Sequence, residues 1–64
     1  MPKRYSSRDL IRMISADGWV HSKTVGSHHQ FRHPIKPGKV TISHPKKNMP
    51  SGTANSILKQ AGLK

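Results

Sequence analysis

The heptapeptide Gly26-Ser27-His28-His29-Gln30-Phe31-Arg32 sets two imidazoles and a guanidinium directly after a Gly-Ser turn. Imidazole is the side chain whose ordinary pKa lets it exchange protons near neutral pH. Around it the chain carries 12 Lys and Arg against 2 Asp and Glu in 64 residues, a formal net charge of +10. The natural partner of such a chain is a polyanion. Proton-transfer chemistry beside a basic surface points to cleavage of a phosphodiester backbone, with RNA as the expected substrate.

Size limits how such a site can be built. A chain of 64 residues is one domain and buries only about 60% of its unfolded surface. That leaves no room for a deep enclosed pocket, so the site must be shallow. A shallow site suits a polymer gripped along a face and argues against a small-molecule enzyme. Cysteine is absent, which excludes disulfides and thiolate metal ligands and fits a reducing compartment. Apolar runs are too short to span a membrane, and Met1-Pro2-Lys3-Arg4 lacks the apolar core of a signal peptide. The expectation is a soluble cytoplasmic protein, monomeric on its own.

Periodicity opposes disorder despite the charge. Ser6-Ser7-Arg8-Asp9 offers a hydroxyl N-cap with an acid in the first turn, where the helix dipole favours it. Leu10, Ile11, Met13 and Ile14 then share one stripe, and Asp17-Gly18 closes a helix spanning Ser7 to Ala16. Trp19 to Thr24 reads as a strand, Val25-Gly26-Ser27 as a turn, and His28 to His33 as a second strand. Lys36-Pro37-Gly38-Lys39 is a turn signal, and Val40-Thr41-Ile42-Ser43 alternates as a third strand. Pro45 to Pro50 reads as a basic, proline-bounded loop. Residues 53–61 return to helical spacing, with Gly62 as the stop. The order α-β-β-β-α implies an α+β fold: a three-stranded antiparallel sheet with two helices on one face and the other face open.

Strand alternation decides which side chains reach the open face. Phe31 is the large apolar residue of its strand, so it must face the helices together with His29 and His33. His28, Gln30 and Arg32 then face outward. His28 is accordingly the catalytic candidate, and His29 packs at the core edge. Ser27, in the preceding turn, lets a phosphate approach the backbone closely. His21 and His33 are read as packing or rim residues. Trp19 can stack on a base but is read first as a core residue under the first helix. Gly52-Thr53 is read as an ordinary helix start. Zinc is not expected, because neighbouring strand histidines point to opposite faces and no Cys or placed carboxylate completes a ligand set.

Several segments together resemble the HicA toxin family. They are Gly18-Trp19-Val20, Gly26-Ser27-His28-His29-Gln30-Phe31, His33-Pro34, His44-Pro45-Lys46-Lys47, and Pro50-Ser51-Gly52-Thr53 leading to Ser56-Ile57-Leu58-Lys59-Gln60-Ala61-Gly62-Leu63. The resemblance runs from about Ser7 to Leu63, with the segments in the family's order. It implies a double-stranded-RNA-binding-domain-like fold and a bacterial toxin that cleaves mRNA through one essential histidine. It also implies neutralisation by a HicB-like antitoxin in a hetero-oligomer; the +10 charge here implies that the antitoxin is acidic. The essential histidine of the family falls on His28.

One histidine suffices for a metal-free mechanism. Neutral imidazole can take the proton of a ribose 2′-OH, giving a 2′,3′-cyclic phosphate and a free 5′-OH, with no cofactor. Arg32, Lys46 and Lys47 are the candidates to stabilise charge building on phosphorus; with Ser27 and Gln30 they form the expected RNA-binding set. The general acid stays open between His44 and water. The alternative from another class is a non-catalytic RNA- or DNA-binding module of the same fold, which has no need of a free imidazole on an open face.

Overall fold

The computed structural model describes residues 4–64; Met1, Pro2 and Lys3, the start of the segment read above for a leader, lie outside the described residues. Five elements follow in the order α1 (Ser7–Ala16), β1 (Val20–Val25), β2 (His28–Arg32), β3 (Lys39–Ser43) and α2 (Ser51–Gln60). The strands form one antiparallel sheet in the order β1-β2-β3. This is the expected α-β-β-β-α architecture, a double-stranded-RNA-binding-domain-like arrangement.

α1 begins where its sequence can satisfy its free amides. The Ser6 hydroxyl accepts from the Asp9 N–H and the Asp9 carboxylate accepts from the Ser6 N–H, both at 3.1 Å. Such a reciprocal cap is worth about 1 kcal/mol. Leu10 and Ile14 are fully buried, Ile11 packs at the core margin and Met13 stays at the surface. The helix ends at Gly18, whose φ of +108° a side chain rarely adopts. A Cβ there would also lie 2.8 Å from His33 Nε2.

Both helices pack against the sheet face bearing Phe31, Val40 and Ile42. Trp19 is buried, and its indole N–H donates to the Ala61 carbonyl at 3.2 Å, tying the start of β1 to the end of α2. It is thus a core residue and not a stacking platform. Between β1 and β2 the Gly26-Ser27 turn has Gly26 at φ +59°, the positive value that the first position of a tight II′ hairpin demands. β1 itself is exposed at every residue and its pairing with β2 slips between His21 and Lys23.

Several boundaries differ from the sequence reading: β1 runs Val20–Val25 rather than Trp19–Thr24, so the turn is Gly26-Ser27 alone, β2 ends at Arg32 rather than His33, and β3 starts at Lys39 rather than Val40. The Pro45–Pro50 segment is more than a basic loop: Met49 is 1% exposed and its N–H donates to the Tyr5 carbonyl at 2.8 Å. α2 starts at Ser51 rather than residue 53, with Pro50 at the N-cap and no side-chain cap. Its C-terminus closes as expected, with Gly62 at φ +73° and the Leu63 N–H donating to the Leu58 carbonyl at 2.8 Å.

Candidate active site

The phase of the β2–β3 ladder follows from one hydrogen bond. The His44 N–H donates to the Ser27 carbonyl at 2.8 Å, so His29/Ile42 and Phe31/Val40 must be the hydrogen-bonded pairs of the register. His28/Ser43, Gln30/Thr41 and Arg32/Lys39 are then the non-hydrogen-bonded pairs, whose Cα atoms come to about 4.5 Å and whose side chains lie closest. On the other side of β2 the register pairs His28 with Val25, Gln30 with Lys23 and Arg32 with Val20. The open face is therefore a grid of three rows: Val25-His28-Ser43, Lys23-Gln30-Thr41 and Val20-Arg32-Lys39.

His28 sits at the turn end of this grid and is exposed. The other imidazoles each have a hydroxyl or backbone partner: His21 and His29 with Thr24, His33 with the Asp17 carbonyl, and His44 with Ser7. His28 has no such partner among the described residues, so both ring nitrogens are open to a substrate. Three cations, Lys23, Arg32 and Lys39, share its face. Arg32 was anticipated. Lys23 and Lys39 were not; Lys23 lies two residues from Val25 and so shares its face, and the bulge beyond it sends His21 to the opposite face with Phe31 and Val20 to this one.

The opposite face holds a different set. His29 meets His44 edge-on with ring centroids 5.2 Å apart, and His21 lies 5.5 Å from His29 and 5.7 Å from Phe31. Their ring nitrogens engage Thr24 and Ser7 hydroxyls at 2.6–3.3 Å rather than one common point. Among the described residues no group of three or more His, Cys, Asp or Glu is arranged to hold a metal ion. This placement turns His44 away from His28, leaving it badly placed as the general acid considered above.

Ser7 anchors the basic segment after β3. It is 1% exposed, and its hydroxyl bridges His44 Nδ1 (2.6 Å), the Lys46 N–H (2.8 Å) and the Lys46 carbonyl (3.2 Å). The Ser7 N–H donates to the same Lys46 carbonyl at 2.8 Å. Lys46 is thereby held near Ser43, the cross-strand partner of His28; both line one groove at the β3 edge. Lys47 is exposed in the same segment, with no contact that draws it to the grid. Ser27 is exposed beside His28, and Gln30 is half-buried in the central row.

His33 serves structure. Its Nε2 lies 2.8 Å from the Asp17 carbonyl, its Nδ1 accepts from the Ile35 and Lys36 N–H groups at 3.0 Å, and its ring meets Trp19 edge-on. Beside it, Lys36 Nζ contacts Asp17 Oδ2 at 2.5 Å and the Ala61 carbonyl at 3.0 Å. The hydrogen bond from Lys36 is the main reason the Asp17 carboxyl is held below its ordinary value, with the charges of Lys36 and His33 adding and burial opposing.

The geometry meets known proteins at this point. A chain in a solved toxin–antitoxin complex from Streptococcus pneumoniae matches with a TM-score of 0.76 and 27% identity, over 91% of this chain and 97% of that one. Curated proteins yield no significant match. The class, a small toxin of a bacterial toxin–antitoxin system, follows from the family match. The family model for the HicA toxin of bacterial toxin–antitoxin systems matches residues 7–63, and the chain belongs to that family.

Proposed function

We propose that this toxin is an endoribonuclease that cleaves mRNA with His28 as general base, without metal, and that a HicB-like acidic antitoxin silences it. The observation that carries the reading is the exposed His28 ring, without a hydrogen-bond partner among the described residues, on a face shared with Lys23, Arg32 and Lys39. A neutral imidazole takes the 2′-OH proton as the 2′-oxygen attacks the adjacent phosphorus. The P–O5′ bond breaks, leaving a 2′,3′-cyclic phosphate, and the 5′-oxygen is reprotonated by water or by the imidazolium. The cations hold the phosphates and offset the charge gained in the transition state. No helix of the described residues is long and apolar enough to cross a membrane.

End-labelled single-stranded RNA incubated with the protein in EDTA tests the reading. The expected products carry 2′,3′-cyclic phosphate and 5′-hydroxyl ends. RNA that is bound and left intact would make the chain a nucleic-acid-binding module instead. Cleavage that stops on chelation and returns with Mg²⁺ would overturn the imidazole mechanism.

A further inference from the structure

The ladder phase that places His28 also fixes where β3 directs its remaining backbone groups. His44, Ile42 and Val40 spend theirs on β2, so the N–H and C=O groups of Lys39, Thr41 and Ser43 point away from the sheet. No hydrogen bond among the described residues engages them. Free edges are normally blunted by bulges, prolines or lysines. The β1 edge is blunted in this way, by the slip at His21/Lys23 and by Lys23 itself. β3 has neither bulge nor proline and carries a lysine only at its first residue, Lys39; along it runs a groove of 510 Å3 lined by Thr41, Ser43, Lys46, Thr53, Ser56 and Gln60, among others.

We propose that this edge takes an extended acidic segment of the antitoxin as a fourth strand of the sheet. The edge alternates donors and acceptors at the peptide spacing, which another polypeptide backbone matches and an RNA backbone, with phosphate acceptors and only its 2′-hydroxyls as donors, matches poorly. A second copy of this chain is disfavoured, since both would carry +10. An acidic strand instead meets Lys39 at one end of β3 and Lys46 beside the other. Its alternate side chains would face the hydroxyls and amide of α2. The rest would join the open face about two strand spacings, roughly 10 Å, from β2 and His28. The inference rests on the proposed antitoxin partnership and specifies how that partner docks.

Amide hydrogen exchange on the free toxin, on the toxin bound to RNA, and on its complex with the protein encoded beside its gene tests this. The Thr41 and Ser43 amides are expected to exchange freely in the first two and to slow about tenfold or more in the complex, the effect of one new hydrogen bond. A second variant set leaves the backbone alone: Ser56→Glu with Gln60→Glu, on exposed positions of α2, should weaken the complex about tenfold while circular dichroism stays unchanged. A complex that forms without protecting these amides, or protection by RNA instead, overturns the strand addition alone. If no complex forms, the antitoxin reading falls with it.

Discussion

Ser7 Oγ and His44 Nδ1 lie 2.6 Å apart, joining the first turn of α1 to the residue after β3. This contact holds the His44 ring on the helix side of the sheet, against His29, and it leaves His28 the lone imidazole of the open face. Removing the hydroxyl leaves the Lys46 amide and the His44 nitrogen without their partner in a part-buried spot. Ser7→Ala should therefore cost about 1–3 kcal/mol of stability, read by denaturant unfolding. A change below about 0.5 kcal/mol would show that water replaces the hydroxyl without loss.

His29 and His44 separate the two faces experimentally. His29→Ala and His44→Ala should lower the melting temperature and leave cleavage per folded molecule within about threefold of wild type. If either abolished cleavage in a protein of unchanged stability, the chemistry would lie on the helix side of the sheet.

Gly18 offers a test of the junction between α1 and β1. Its positive φ and the 2.8 Å approach of His33 to a Cβ both oppose a side chain. Gly18→Ala should cost about 2 kcal/mol or more and disturb the Trp19 environment, visible in near-ultraviolet circular dichroism. A stability within 0.5 kcal/mol of wild type, taken as about the noise of surface substitutions, would contradict the strain.

Asp17 makes acid stability directional. Its carboxyl is held below the ordinary value chiefly by the Lys36 hydrogen bond. A group depressed in the folded state contributes fully above its unfolded pKa, about 3.9, and loses that contribution as pH falls through the folded value. The melting-temperature gap between wild type and Asp17→Asn should thus be present at neutral pH and close below about pH 4. A gap constant across that range would mean the carboxylate charge plays no part.

The proposed RNA-binding role of the grid cations predicts a salt dependence. Replacing Lys23, Arg32 or Lys39 by Ala should each weaken binding and lower the slope of log affinity against log salt by about 0.7, the value for a single-strand phosphate contact. Lys46→Ala should do the same, and Lys47→Ala less, because nothing fixes Lys47 against the grid. Unchanged slopes for the three face residues would move RNA off this surface.

The sequence shows the parts of this arrangement that repeat or cap. Leu10 and Ile14 with the Ser6/Asp9 pair mark α1, and Phe31 alone between His29 and His33 orients β2. What local pattern could not show depends on distant partners. Met49 sits between Asn48 and Pro50 and enters the core because Tyr5 pairs with it across the molecule. α2 begins at Ser51 without a side-chain cap, so the Pro-Ser-Gly run looks like loop. The one-residue slip in β1 is another such feature: it sets His21 with Phe31 on the helix side and Val20 with Lys23 on the open face, which unbroken alternation along β1 does not give.

The central claim is that His28 performs chemistry without supporting the fold. Single-turnover cleavage of a labelled RNA by wild type and by His28→Ala, in EDTA, with RNA affinity and melting temperature measured on the same preparations, tests it most directly. The expected result is a fall in rate of at least about a hundredfold, the lower range for loss of a general base, with affinity and stability near wild type. A variant that still cleaves at a comparable rate, or one that loses activity only because it unfolds, would contradict it.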